Sequence, residues 1–245
     1  MTQHILQGRT ADELLWFRRR SFLRAAAAWT ALGGAGSALA QQRGNIVELR
    51  GEVLLNDQRL RPDQFIQTGD RIVTGPDGFL VFAMNNAAIL VRQNTQMVVE
   101  RGDMLTAVSV LRLFTGAIVS VWRPGGSRQV VTPTLTAGIR GTGVYTEVAA
   151  DGRSYFCNCY GTVDLSAGSD RVLSRADYHQ SFWAEVQPKN GRLLTPAGAI
   201  NHSDEELEMV ASLIGQRTRW QELGRKGVKD GAGYMDTGRP HPLAR

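Results

Sequence analysis

The sequence predicts an all-β domain, either a short β-solenoid or a β-sandwich of many short strands, with a small C-terminal helix and a flexible tail. Three observations predict it. Between about residues 45 and 187 the apolar runs are short, β-branched or aromatic, and separated by Gly, Asn, Asp or Pro. No helical period is sustained across that region. A glycine also recurs ahead of many runs, at Gly51, Gly69, Gly78, Gly102, Gly116 and Gly161, which suggests stacked strands with tight corners. A sandwich and a short solenoid both satisfy that spacing.

Residues 1–40 read as an export signal rather than as part of the fold. Arg18, Arg19 and Arg20 run into Ser21-Phe22-Leu23-Arg24, and AAAAWTALGGAGSALA follows. A basic region, a weak apolar stretch and the small-x-small pattern Ala38-Leu39-Ala40 predict cleavage after Ala40. Arg19, Arg20, Phe22 and Leu23 resemble the core of a twin-arginine signal, which places the mature chain in the periplasm. The apolar run is shorter than the roughly 20 residues a span requires, so no permanent membrane segment is expected after processing. No cysteine follows it to accept a lipid. The signal holds five arginines against Asp12 and Glu13, so cleavage lowers the formal charge from +5 to +2. The basic balance is thus partly the signal's own. No concentrated basic face remains, and nucleic acid is not an expected partner.

The mature chain divides into a β domain over 41–187, an extension over 188–223 and a tail over 224–245. In the β domain IVEL, GEVLL and RIVT lead into FLVFAM, AAILV, MVVE, LTAVSVLRLF, AIVSVW, RQVVT, VYTEV, SYFCNCY and TVDLS. Pro188-Lys189-Asn190-Gly191 is a turn. Ser203 followed by Glu206 forms a capping box for a helix over 204–214, with acidic residues in its first turn where the helix dipole favours them. Leu207, Val210, Ala211 and Ile214 share one face, so that helix packs on something. Beyond Gly224 the chain is rich in Gly, Pro and charge.

The stretch AGIRGTG invites a phosphate-loop reading, and its context excludes one. No lysine follows the glycines, and Gly143 enters the strand-like VYTEV instead of a helix N-terminus. The glycines instead permit a tight or close-packed corner. The mature chain has no G-x-S-x-G elbow, no H-E-x-x-H and no EF-hand loop. No nucleophile–base set can be assembled, and an enzyme is not expected.

Only two cysteines occur, Cys157 and Cys159 in SYFCNCYG. Residues i and i+2 of a strand face one side, so both thiols point one way, with Phe156, Asn158 and Tyr160 on the other. Their Cα atoms would stand about 6.6 Å apart, so a direct disulfide needs a local bend. Two adjacent free thiols are unusual in an oxidising compartment. They are bonded, buried or held by a metal. His179 and His202 are the candidate further ligands, since His4 leaves with the signal and His241 lies in the tail. Two thiolates and two imidazoles suit Zn, and such a soft set also suits Cu.

The residues from about Val47 to Gly161 resemble the FecR domain of bacterial envelope proteins. RGEVLLN, TGDRIVTGPDGFLVF, AAILVRQNTQM, LRLFTGAIVSV, VVTPTLTAGIRGTGVYTEV and CYGTVDL carry the resemblance in order. Its most diagnostic residues are Thr132, Pro133, Gly138, Arg140, Gly141, Thr142 and Gly143. The resemblance implies a periplasmic all-β module that relays signals. The founding kind couples an iron-siderophore transporter of the outer membrane to a cytoplasmic sigma factor, through a helical sigma-binding domain and one membrane span. An export signal stands in that place here, so the sigma contact is not carried over. The reading is a non-catalytic module in binding or signal relay, partnered by an envelope protein or cell-wall component. The alternative is a metal-binding or redox-sensing protein using Cys157, Cys159, His179 and His202.

Overall fold

The computed structural model describes residues 44–100, 104–228 and 241–243. The expected signal over 1–40, its cleavage site and most of the expected tail lie outside the described residues. Among the described residues no helix is long and apolar enough to cross a membrane.

Half-buried β-branched runs fold here as two sheets, and the all-β expectation holds. The front sheet runs in the order β1 (Ile46–Arg50), β5 (Phe79–Met84), β6 (Ala87–Val91), β8 (Val110–Trp122), β11 (Gly143–Val148), β12 (Ser154–Ala167), β14 (Gln180–Lys189) and β15 (Arg192–Ala197). The back sheet runs β3 (Gln58–Arg59), β2 (Val53–Leu55), β4 (Arg71–Thr74), β7 (Gln96–Val99), β8, β9 (Arg128–Val131), β10 (Thr136–Ile139), β12 and β13 (Asp170–Ala176). All of these pairings are antiparallel except β8 with β9.

Strands β8 and β12 belong to both sheets. Residues 117–122 of β8 pair in the front sheet and 110–115 in the back. Residues 154–160 of β12 pair in front and 161–167 behind. Each bends at a glycine, Gly116 or Gly161. The sequence marks these glycines as corners between separate strands, but they lie inside continuous ones. Gly161 takes φ 103°, and a Cβ there would stand 2.6 Å from Cβ of Thr142, so only glycine lets the strand cross between sheets.

The two sheets enclose one core, in which Leu80, Phe82, Ile89 and Phe156 of the front meet Ile72, Met97, Leu111 and Val163 of the back. This matches the sandwich of the two expected architectures. The turn expected after Pro188 closes the β14–β15 hairpin, with Asn190 and Gly191 both at positive φ.

A second apolar cluster lies on the outer face of the front sheet. It is covered by α1 (Asp204–Ser212) and by Trp220 of α2 (Arg219–Leu223). The Ser203–Glu206 capping box forms as the sequence indicates. The helix closes earlier than 214, because Leu213 caps it and Gly215 turns the chain at φ 66°. Leu207, Val210, Ala211 and Ile214 are buried against β6, β8 and β11. His241 lies against Phe182 of β14, with ring centroids 4.9 Å apart.

Candidate metal centre

The outward side chains of β12 lie beneath the α1 cover. Cys157 and Cys159 both project there and are fully buried. The strand is not regular at this point. Gly143 of β11 faces Tyr160, whereas Val144 faces Asn158, so Cys159 is an extra residue in β12. This bulge turns Tyr160 to the same side as the cysteines, into the outer cluster, and corrects the strict alternation that set Tyr160 opposite. It also supplies the local bend between the thiols, which are not disulfide-bonded and stand at an Sγ–Sγ distance of 3.7 Å.

His179 occupies the corner between β13 and β14 at φ 42°. Its backbone N–H donates to the Cys159 carbonyl at 2.9 Å, which fixes the corner against the bulge. His202 comes from the segment between β15 and α1. The Tyr155 hydroxyl anchors that segment by donating to the Gly198 carbonyl at 2.9 Å and accepting from the Ile200 N–H at 3.1 Å.

The four side chains converge. Their ligand atoms all lie within 4.8 Å of one another, in a fully buried setting. The Cys157 sulfur is 3.5 Å from Nδ1 of His179, and that nitrogen is 3.0 Å from Nε2 of His202. The outward nitrogen of each ring is already committed. His179 donates from Nε2 to Oδ1 of Asp204 at 2.9 Å, and His202 donates from Nδ1 to the Ile200 carbonyl at 2.6 Å. A neutral imidazole that donates from one nitrogen carries its lone pair on the other. The two lone pairs therefore face each other and the sulfurs.

The surroundings hold this geometry. The Asp204 carboxylate also accepts from the Tyr178 hydroxyl at 2.9 Å and pairs with Lys226 at 2.6 Å. His202 stacks on Tyr145 with centroids 4.7 Å apart, and His179 stacks on Trp220 at 5.4 Å. The Arg92 guanidinium lies 5.2 Å from the Tyr145 ring centroid and meets Glu206 of α1 at 2.5 Å. Burial alone raises the Cys157 thiol. The hydrogen bond with Cys159 and the charges of His202 and His179 outweigh it and hold the thiol well below its ordinary value. Burial alone lowers His179, but its bonds to Asp204 and Cys157 outweigh it and raise the ring. Both shifts favour, when no metal is bound, a thiolate beside an imidazolium whose Nδ1 carries a proton that a metal would displace.

All four expected ligands are therefore adjacent. Sequence reasoning missed Asp204, Tyr178, Tyr145 and Trp220. Asp204 read as an ordinary helix start, and its place two residues after His202 was the available signal.

The glycine-rich stretch stands apart from the ligands. Thr132 and Pro133 build the β9–β10 turn, where Leu135 N–H donates to Oγ1 of Thr132 at 2.9 Å. Arg140 is exposed and pairs with Asp164 at 2.5 Å. Thr142 is buried 3.4 Å from Oδ1 of Asn158. Gly141, at φ 71°, packs on Pro124, while Gly138 is loosely surrounded. Gly143 lies directly under the Tyr160 ring, which joins this stretch to the bulge.

No family model matches the chain, and none of the characterised protein sequences compared with it is similar to it. Two crystal structures described as a "putative anti-sigma factor" from Parabacteroides distasonis are similar to part of it. Both show a TM-score of 0.41 and 11% identity over 51% of this chain and 59% of theirs. The chemical reading therefore comes from the side chains of this chain.

Proposed function

We propose that this chain is a non-catalytic, metal-holding module of the cell envelope in which Cys157, Cys159, His179 and His202 bind one Zn(II) ion. The convergence of the four ligand atoms carries the reading. A tetrahedral zinc site has edges of about 3.8 Å between sulfurs, about 3.3 Å between nitrogens and about 3.6 Å between the two kinds. Three of the six separations here are 3.7, 3.0 and 3.5 Å, and all six lie within 4.8 Å. Four protein ligands with no open position make a closed site of the structural kind rather than a catalytic one. Asp204 and the Ile200 carbonyl are the outer partners that zinc-binding histidines ordinarily have. Copper suits the same donors, and metal analysis distinguishes the two.

The FecR resemblance supplies the setting. Its motif residues form turns and packed corners of a sandwich, which supports a binding or signal-relay domain with an envelope protein or wall component as partner. Export by the twin-arginine route is part of this proposal.

The test is elemental analysis of protein purified from its native compartment, beside Cys157→Ser and His202→Ala. About one zinc per chain in the wild type and background levels in both variants is the expected result. Substoichiometric metal that does not change in Cys157→Ser would overturn the metal reading.

A further inference from the structure

We infer that metal occupancy controls whether the part of the C-terminal extension that follows β15, residues 198–223, stays docked on the front sheet; this rests on the metal reading above. The ligands are divided between two bodies. Cys157, Cys159 and His179 belong to the sheet, whereas His202 belongs to the extension, two residues before α1. A metal held by all four would therefore bridge them.

The interface under the extension has two halves of opposite character. Its apolar half sets Leu207, Val210 and Ile214 against Leu90, Val119 and Val121. Its polar half buries two thiols, two imidazoles, Asp204, Glu206 and Arg92, each less than a tenth exposed. Burying so many polar groups is unfavourable unless each is satisfied. A metal would engage four of them at once, in place of the contacts that they make to one another. Without it, coordinate bonds from His202 are replaced by weaker noncovalent contacts to the sheet, such as the 3.0 Å approach to His179 and the stack on Tyr145.

Once separated, the extension has little means of staying ordered. Helix α1 has nine residues, fewer than the about 12–15 that an isolated helix needs in water. Undocking and unfolding of α1 are therefore one event. It uncovers an apolar strip of β6, β8 and β11 that is fully buried in the docked form. The metal acts as a clasp that keeps this surface closed.

Hydrogen exchange on the mature chain tests the clasp, comparing zinc-loaded protein with protein stripped by chelator under reducing conditions. Metal content is measured in the same samples. Stripping is expected to speed exchange in the amides of 204–212 by about 100-fold or more, a fraction of what a structural zinc site supplies, with recovery on adding zinc. The β2–β4 strands should exchange unchanged. Unchanged exchange in α1 across a sample that demonstrably lost one zinc overturns the clasp and leaves the metal site standing. Failure of zinc to bind overturns both.

Coupling is reciprocal, which gives a second measurement. Val210→Ala and Ile214→Ala weaken docking and alter no ligand. They should lower zinc affinity by about tenfold. Folded variants that bind zinc as tightly as the wild type would also refute the clasp.

Discussion

Gly143→Ala tests how the glycine-rich stretch supports the metal centre. The added Cβ would lie 2.8 Å from Cζ and 3.1 Å from Cδ1 of Tyr160, and closer still to Cε1. Carbon atoms ordinarily settle at about 3.5–4.0 Å, so the ring must retreat by about 1 Å. Its retreat is blocked. Tyr160 packs edge-on against Trp220 at 5.5 Å, and Trp220 stacks on His179. Overpacking of a closed core costs about 1–3 kcal/mol. With a urea slope of about 3 kcal/mol/M, the unfolding midpoint should fall by about 0.3–1 M. Zinc affinity should fall as well, since the displacement reaches His179. Gly138→Ala is the internal control: its nearest neighbours would stand 3.6 Å away, so stability should hold or rise by about 0.4–1 kcal/mol. In a Tyr160→Ala background, Gly143→Ala should become neutral to within about 0.5 kcal/mol. An equal loss in both backgrounds would refute the steric chain from Gly143 to His179.

Further outcomes follow from the same geometry. Asp204→Asn keeps the shape but removes the charge that orients His179, and should weaken zinc binding by about 10–100-fold in a chelator competition while the circular dichroism spectrum is retained. Glu206→Gln retains the helix cap but takes the carboxylate from buried Arg92; chemical denaturation should show a loss of about 3–5 kcal/mol, and a much smaller loss when Arg92→Met is added. In metal-free, reduced protein the lowered Cys157 thiol contributes stability above the ordinary thiol pKa of about 8.5 and loses it as pH falls through its folded value. The raised His179 contributes below the ordinary imidazole value of about 6.5 and loses this as pH rises through its folded one. Thiolate absorbance across a pH titration, with Cys157→Ser as reference, should therefore show a transition below that of a free thiol; one at or above it contradicts the hydrogen-bonded arrangement.

The fold class was legible because short β-branched runs between turn residues have few other solutions. The ligand set was legible for a different reason. The chain has two cysteines, and once the signal and tail are set aside only His179 and His202 remain as imidazoles. Strand alternation then put both thiols on one side. What alternation concealed was the bulge, because an inserted residue leaves no mark in a period-2 pattern while reversing everything after it. Tyr160 was misplaced on that account. Gly116 and Gly161 misled in a related way, since glycine marks a bend inside a strand as readily as a turn between strands. Asp204 was hidden by a sufficient local explanation: an acidic residue in the first turn of a helix needs no further role. Its bond to His179, like that of Arg92 to Glu206 across 114 positions of sequence, arises only when α1 folds back on the sheet.

The proposed Cys2His2 set closes around one zinc ion beneath the C-terminal helix. X-ray absorption at the zinc edge, on protein purified without added metal, tests it most directly. The expected spectrum is that of a four-coordinate shell of two sulfurs at about 2.3 Å and two imidazole nitrogens at about 2.0 Å. A shell of oxygen and nitrogen alone, or a spectrum unchanged by Cys157→Ser, would contradict it.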